Sequence, residues 1–242
     1  MRALAESLIG AQRARSTITE FVPPADLATA IATQEAIMRG LGETPGGWKV
    51  ASNKDFGPIG APMSASYVKE GPASWPMAPG LMLEIEVAVR LAHDLPPGCY
   101  TREEIVGAIE SMSVGIEVVR SRLAIGNAAP FLAFFADSLA NEGYVIGKTR
   151  LPWAEFDLAS RRCIARKDGA VIHDGLCTYP FGEPLTPVRG FASVQKGGLG
   201  GLRAGHIVTT GSVCGVLPVT GPGRYTAEIE GLGTVDLVVE PA

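Results

Sequence analysis

No long block of charge of one sign stands out in this sequence. Twenty-one lysines and arginines are spread among 25 aspartates and glutamates, leaving a net charge of −4. A nucleic-acid surface needs a clustered basic face, and none is present. Long apolar runs are missing too. The longest, Leu123 to Ala136, is interrupted by Gly126, Asn127 and Pro130 and falls short of the roughly 20 residues that span a bilayer. Cysteine is sparse and scattered. Cys99, Cys163, Cys177 and Cys214 form no CxxC pair, which reads as reduced thiols, neither disulfides nor zinc ligands. His93, His173 and His206 show no HxxxH spacing, which argues against the usual zinc-hydrolase motif. The glycines of Lys196–Gly201 do not follow GxGxxG, so this run reads as a loop and not a phosphate cradle. The first residues, with Glu6 among them and a basic end, are unlike a secretory signal. The expectation is a soluble, cytoplasmic protein that binds neither nucleic acid nor membrane.

What is abundant is apolar residues, glycine and proline. Hydrophobic residues make up 46% of the chain and charged residues 19%, enough for a packed core. Thirty glycines and 18 prolines in 242 residues exceed the average share of roughly 12% and favour turn-rich β structure. Residues 1–45 read as a helical segment. Leu4, Leu8 and Ile9 share a face, and Leu27, Ala30, Ile31 and Ile37 recur at helical spacing after Pro23-Pro24. Asp26 is the expected N-cap of that second helix, with Gly40 and Gly42 as its stop. Residues 46–242 read as one β-rich unit. Its short apolar runs are Trp48–Ala51, Leu83–Leu91, Val114–Val119 and Tyr144–Gly147, with one helix predicted over Thr101–Met112 from the cap pattern Thr101-x-x-Glu104. The last third reads as strand and turn. Strands are expected at Val171–Ile172, Ile207–Thr210 and Val213–Val219, and a hairpin joins 225–230 to 234–239 around Gly231-Leu232-Gly233.

The chemistry-bearing feature is Leu83-Glu84-Ile85-Glu86-Val87. Residues i and i+2 of a strand share a face, so Glu84 and Glu86 sit side by side. Adjacent carboxylates in an apolar strand repel, and burying them ionised is costly without a partner. Either that face is solvated or a cation lies on it. Glu117, alone in Val114-Gly115-Ile116-Glu117-Val118-Val119, adds a third carboxylate in a second apolar run. Three such oxygens suit a hard divalent ion and leave positions for water and substrate. Lys49 is the only charge in Gly47-Trp48-Lys49-Val50-Ala51. It is either a lysine reaching the surface or a partly desolvated amine serving as proton carrier or clamp. Asp137, after Phe134-Phe135-Ala136, reads equally as a turn residue or a catalytic acid.

In order and spacing these segments resemble the 2-keto-4-pentenoate hydratase / 4-oxalocrotonate decarboxylase branch of the fumarylacetoacetate hydrolase superfamily. Gly47-Trp48-Lys49-Val50 is similar to the family's G-[YW]-K-[VI]. Glu84-Ile85-Glu86 running to Asp94-Leu95-Pro96 resembles its E-x-E strand and L-x-x-D-L-P ending. Gly115 to Arg122 resembles A-L-E-[IV]-V-x-S-R, and Ala136-Asp137-Ser138-Leu139 resembles A-D-N-A. Gly143 to Gly147, Ala204 to Gly211 and Glu230-Gly231-Leu232-Gly233 match three later motifs. The resemblance implies an α+β, β-rich fold: a mixed β-sandwich roll like the superfamily's C-terminal domain, behind a helical N-terminal lead and assembled as a homo-oligomer. It implies Mg²⁺ or Mn²⁺ on Glu84, Glu86 and Glu117, with Lys49 and Asp137 catalytic and Ser52, Gly211 and Ser212 contacting substrate. The activity implied is a metal-dependent lyase, hydratase or decarboxylase, acting on a small 2-oxo or 2-hydroxy-dienoic acid through a metal-chelated enolate. An acylpyruvate-type C–C hydrolase on the same cage, or a non-catalytic oxo-acid binder, are the alternatives.

The sequence also departs from that pattern. Ser52-Asn53-Lys54-Asp55-Phe56 stands where a Met-Gln or Val-Gln segment follows a hydroxyl residue. Pro62–Ser66 is neutral where members often carry an acid. Glu183 replaces the histidine of G-H-P-[LM], and Ser138 replaces an asparagine. Arg120, Arg122 and Lys148 lie near these segments in sequence.

Overall fold

The structure, a computed structural model, describes residues 2–153, 157–179 and 182–242. Two helices lead, α1 (Arg2–Ala14) and α2 (Leu27–Leu41). Helix α1 buries Leu4, Ala5, Leu8 and Ala11, a stripe at helical spacing. Helix α2 starts where expected, the Asp26 carboxylate accepting from the Thr29 backbone N–H at 2.7 Å. It ends at Gly42, whose φ of 71° is the left-handed conformation that closes a helix.

Five strands follow: β1 (Pro45–Asn53), β2 (Gly57–Ser64), β3 (Val68–Glu70), β4 (Ala73–Pro76) and β5 (Met82–Leu91). Helix α3 (Arg102–Gly107) opens with the reciprocal capping box of Thr101 and Glu104 but stops well before Met112. By Ile109 the chain has entered β6 (Ile109–Val119), which pairs antiparallel with β5 along its length. Ladder pairing and burial on both faces outweigh the local helical pattern there. Next come α4 (Phe131–Ala136), β7 (Asn141–Ile146), β8 (Arg162–Lys167), β9 (Ala170–Leu176), α5 (Leu185–Val194), β10 (Ile207–Pro218), β11 (Gly223–Ile229) and β12 (Gly233–Glu240). Helix α5 corrects the reading of the last third as strand and turn. Its buried stripe of Leu185, Val188, Phe191 and Ala192 is helical, but Pro187 and Gly190 within it mask the period. The two runs after Ile207 form one bulged strand, β10. The hairpin is as expected, with Ile229 opposite Gly233.

Among the described residues the strands form two mixed sheets, ordered β2-β1-β10-β5-β6-β7-β3 and β4-β12-β11-β8-β9. One face of the larger sheet packs on the smaller one. Leu83, Ile85 and Val87 of β5 and Val114, Ile116 and Val118 of β6 meet Val235, Leu237 and Val239 of β12 in one core. The helical lead packs apart from it: Leu4, Leu8 and Ala30 join Ile59 of β2 and Phe135 of α4 in a second cluster. The fold is thus a β-rich α+β sandwich with a helical N-terminus. No helix among the described residues is long and apolar enough to cross a membrane.

Candidate metal and substrate site

The glutamates sit on the face of the larger sheet that is turned away from the smaller one. Because Ile85 and Val87 point into the sandwich, strand alternation turns Glu84 and Glu86 to the other side. The register of β5 against β6 sets Glu84 directly opposite Glu117 and Glu86 opposite Gly115. On the other flank, β10 bulges beside them. Thr209 faces Ala88, Ser212 faces Glu86 and Val216 faces Glu84, so β10 spends extra residues across a short piece of β5. Gly211 and Gly215, at φ of 109° and 75°, supply the backbone freedom for that bulge. Lys49, on β1 beyond β10, is level with Thr209 and reaches across. Its Nζ lies 3.0 Å from both Glu84 and Glu117. Asn141 at the start of β7 donates to Glu117 at 2.9 Å.

Burial governs the electrostatics. Glu86 and Glu117 are fully buried, while the Glu84 side chain keeps 17% exposure. Burial and the repulsion of Glu117 and Glu84 push Glu86 well above the ordinary carboxylate range. Burial also lifts Glu117, to about 7, against the pull of Lys49. Burial disfavours the Lys49 ammonium, but the attraction of Glu117, Glu84 and Glu86 outweighs it and holds the amine protonated beyond its ordinary range. With Lys49 charged and the three carboxylates ionised, the cluster carries two net negative charges, matching one divalent ion.

The donor set fits such an ion. Glu84, Glu86 and Glu117 each offer an oxygen, and these lie within 4.8 Å of one another. Both buried oxygens of Glu86 lack a well-directed hydrogen bond, although the hydroxyls of Thr209 and Tyr144 lie beside them. A fully buried carboxylate whose oxygens lack well-directed donors is costly, and a hard cation bound by oxygen would satisfy it.

Lys49, Glu84, Gly211 and Ser212 line one open cleft of about 460 Å³, together with Val50, Ala51, Thr178, Tyr179 and Gly215. The Ser212 hydroxyl donates to the Gly215 carbonyl at 2.6 Å and so braces the bulge. Ser52 is exposed and outside the cleft lining. Asp137 is not brought into the cluster. Its fully buried carboxylate accepts from Arg122 Nε at 2.5 Å, from the Arg122 backbone N–H at 2.9 Å and from Ser121 at 2.8 Å. Arg120 and Arg122 belong to the same buried ionic network, Arg120 meeting Glu142 at 3.0 Å. Glu183 pairs with Arg102 at 3.0 Å on the half-exposed surface.

The Asp137–Arg122 pair shapes the site from behind. Ser138, Leu139 and Ala140 all have φ between 51° and 62°, a strained conformation for residues with a Cβ. Arg122 donates to the carbonyls of Asp137 and Asn141 on either side of that turn. The turn in consequence directs the Leu139 carbonyl to within 3.5 Å of Lys49 Nζ and sets Asn141 against Glu117.

Sequence reasoning missed Tyr144, Thr209, Asn141 and Tyr179, whose hydroxyl donates to the Thr210 carbonyl. One signal was available. Gly115 interrupts a β-branched strand, which marks a close approach, and a Cβ there would collide with the Tyr144 ring and hydroxyl.

No family model matches the chain. A 2-keto-4-pentenoate hydratase of Paraburkholderia phymatum is 29% identical over 97% of this chain and 95% of its own length. Among solved structures, the 4-oxalocrotonate decarboxylase of Pseudomonas putida G7, complexed with magnesium and adipate, superposes with a TM-score of 0.81. That match covers 98% of this chain and 96% of the decarboxylase at 21% identity. A protein of Yersinia pestis assigned to the fumarylacetoacetate hydrolase family matches with a TM-score of 0.56, 80% of this chain, 91% of its own and 22% identity. The chain is thus similar along nearly its whole length to a 2-keto-4-pentenoate hydratase, and it shares its fold with a 4-oxalocrotonate decarboxylase and a protein of the fumarylacetoacetate hydrolase family.

Proposed function

We propose that the protein is a divalent-metal-dependent lyase of the hydratase/decarboxylase type, acting on a small 2-oxo or 2-hydroxy-dienoic acid. The observation that carries this reading is the buried cluster of Glu84, Glu86 and Glu117, with the Lys49 ammonium 3.0 Å from two of them, at a cleft of about 460 Å³. That volume suits a short acid. The three glutamates would hold Mg²⁺ or Mn²⁺, which when bound supplies the charge that stabilises negative charge building on a 2-oxo acid's oxygens. Lys49, held protonated, offers a positive charge and a donated proton at the cleft wall, the role of a general acid. Thr178, Tyr179 and Ser212 border the same space and orient the acid. The wall of Val50 and Ala51 excludes water from one side. Asp137 acts as a positioning residue through Arg122.

We also propose that copies of the chain associate in the cytoplasm. The edge strand β9 supports association, since Val171, Ile172 and Leu176 are 55%, 41% and 62% exposed on it, and an unpaired edge of this kind favours pairing. Light scattering tests the assembly.

The test of the activity is turnover of a panel of 2-hydroxy-dienoic, 2-oxo-enedioic and acylpyruvic acids, with EDTA and with Mg²⁺ or Mn²⁺ restored. Metal-dependent hydration or decarboxylation is expected. Faster cleavage of acylpyruvates would instead make the protein a C–C hydrolase. No turnover of any acid by the metal-loaded protein would leave it a binding protein.

A further inference from the structure

The scattered cysteines converge. Cys163 on β8 stands opposite Gly175 of β9, and His173 stands opposite Ala165, so Cys163 and His173 share the inner face of that hairpin. Cys214 comes from the bulge of β10 in the other sheet. The Cys163 and Cys214 sulfurs and a His173 ring nitrogen lie within 4.8 Å of one another. Cys177, buried just past β9, has its thiol in hydrogen-bonding contact with Cys163, which also contacts Cys214. A second, independent feature points to a ligand. His173 Nε2 is buried and has no hydrogen-bond partner among the described residues, which is rare for a buried ring nitrogen.

From this convergence we infer that Cys163, Cys177, Cys214 and His173 form a second metal site, a three-cysteine, one-histidine site for a thiolate-seeking ion such as Zn²⁺. Such ions take tetrahedral sulfur and nitrogen donors, spaced roughly 3.8 Å apart around a metal–sulfur bond of about 2.3 Å. A small contraction brings Cys163, Cys214 and His173 to that spacing, and Cys177, outside that group of three but in contact with Cys163, turns in as the fourth donor. Three thiols and an imidazole select a softer metal than the hard carboxylate site does. On binding, each ligating thiol releases its proton to solvent as the metal–sulfur bond forms, with no change in oxidation state. The ion would tie β8 and β9 of the smaller sheet to the bulge of β10, whose Gly211 and Ser212 line the cleft. It lies on the other side of β5 from the carboxylates, since Cys163, Cys177 and Cys214 pack with Ile85 and Val87 in the core between the sheets. A structural metal would therefore stiffen one wall of the site without touching substrate.

Cobalt is the probe, because tetrahedral Co²⁺ bound to thiolates shows a sulfur-to-metal charge-transfer band in the near ultraviolet and strong visible d–d bands. The full-length protein, reduced and stripped of metal, is titrated with Co²⁺ in excess Mg²⁺, and then with Zn²⁺. One equivalent producing both bands, displaced by one equivalent of Zn²⁺, is the expected result. The bands should persist in Glu86→Gln, which disables only the carboxylate site, and in Cys99→Ser, whose thiol is exposed and apart. They should be lost or reduced severalfold in Cys214→Ser and in His173→Gln. These two side chains are half-buried and are chosen so that at least one variant folds. Absence of the charge-transfer band in the wild-type protein overturns the inference without any variant. So does its survival in both ligand variants, or a Cys163–Cys177 disulfide in the protein as isolated, which would make the cluster a redox pair.

Discussion

Replacing Lys49 with methionine removes the one cation among three glutamates while keeping most of the side chain's length. The Lys49 side chain is 14% exposed and Glu117 is not exposed at all, so the pair is screened little by solvent. Deleting one partner of such a pair costs about 3–5 kcal/mol because a charge is left buried and uncompensated. For a chain of this size about 1 kcal/mol moves the melting temperature by roughly 2–4 °C, so Lys49→Met should melt roughly 6–20 °C lower without metal. Glu117, already lifted to about 7, escapes part of that cost by taking up a proton. The loss should therefore be small near about pH 5.5 and largest near about pH 8. Mg²⁺ should recover most of it, since the ion replaces the missing positive charge, and its stabilising effect should be at least that seen in wild type. At saturating metal, kcat/KM should fall by about 10²–10⁴, the scale of losing an acid–base group. Calorimetry or dye-monitored melts across pH, with and without Mg²⁺, read the first effect and steady-state turnover the second. A metal-free melt within about 2 °C of wild type near about pH 8 would refute the electrostatic argument. Turnover within about tenfold of wild type would reduce Lys49 to a structural residue.

Metal binding should itself raise the melting point: at about a hundredfold excess over Kd the gain is about 2.7 kcal/mol, or roughly 5–11 °C. Glu86→Gln should abolish that gain, and an unchanged gain in the variant would dismiss Glu86 as a ligand. The gain should also be greater near about pH 8 than near about pH 5.5. Glu86 and Glu117 have folded pKa values above the ordinary 4.5, so the metal-free fold loses stability as pH climbs from that value through about 7 for Glu117, while protons compete with the ion below it; an equal gain at both pH values counts against the raised carboxylates. Asp137→Asn should lower the melting temperature by at least roughly 6 °C, because buried Arg122 loses its nearest counter-charge and keeps only Glu142 at 3.7 Å, yet leave kcat of the folded enzyme within about tenfold. A kcat loss on the Lys49→Met scale at unchanged stability would make Asp137 catalytic. Gly115→Ala should cost about 1–3 kcal/mol by forcing the Tyr144 ring aside and should weaken Mg²⁺ binding; a neutral effect in melts and titrations would show that the close approach does not matter.

Local chemistry was legible in the chain. The period of two in Leu83–Val87 placed Glu84 and Glu86 on one face, and Asp26, Gly42 and the Thr101–Glu104 box marked helix ends that the structure contains. Each is decided within a few residues, by alternation, capping or a left-handed glycine. The helix expected through Met112 and the missed α5 failed where long-range pairing or a masked period overrode the local signal. Partnership across the fold was decided only by tertiary structure. The β5–β6 register sets Glu84 against Glu117, the bulge of β10 lets Lys49 reach both, and Arg122 holds Asp137 in a buried ion pair apart from the three glutamates. Cysteines with no metal-binding spacing in sequence meet His173 because the β8–β9 register sets Cys163 beside it and the packing of the two sheets brings in Cys214. Sequence period specifies which way a side chain points; which side chain it meets depends on register and sheet packing, and these are set by residues far apart in the chain.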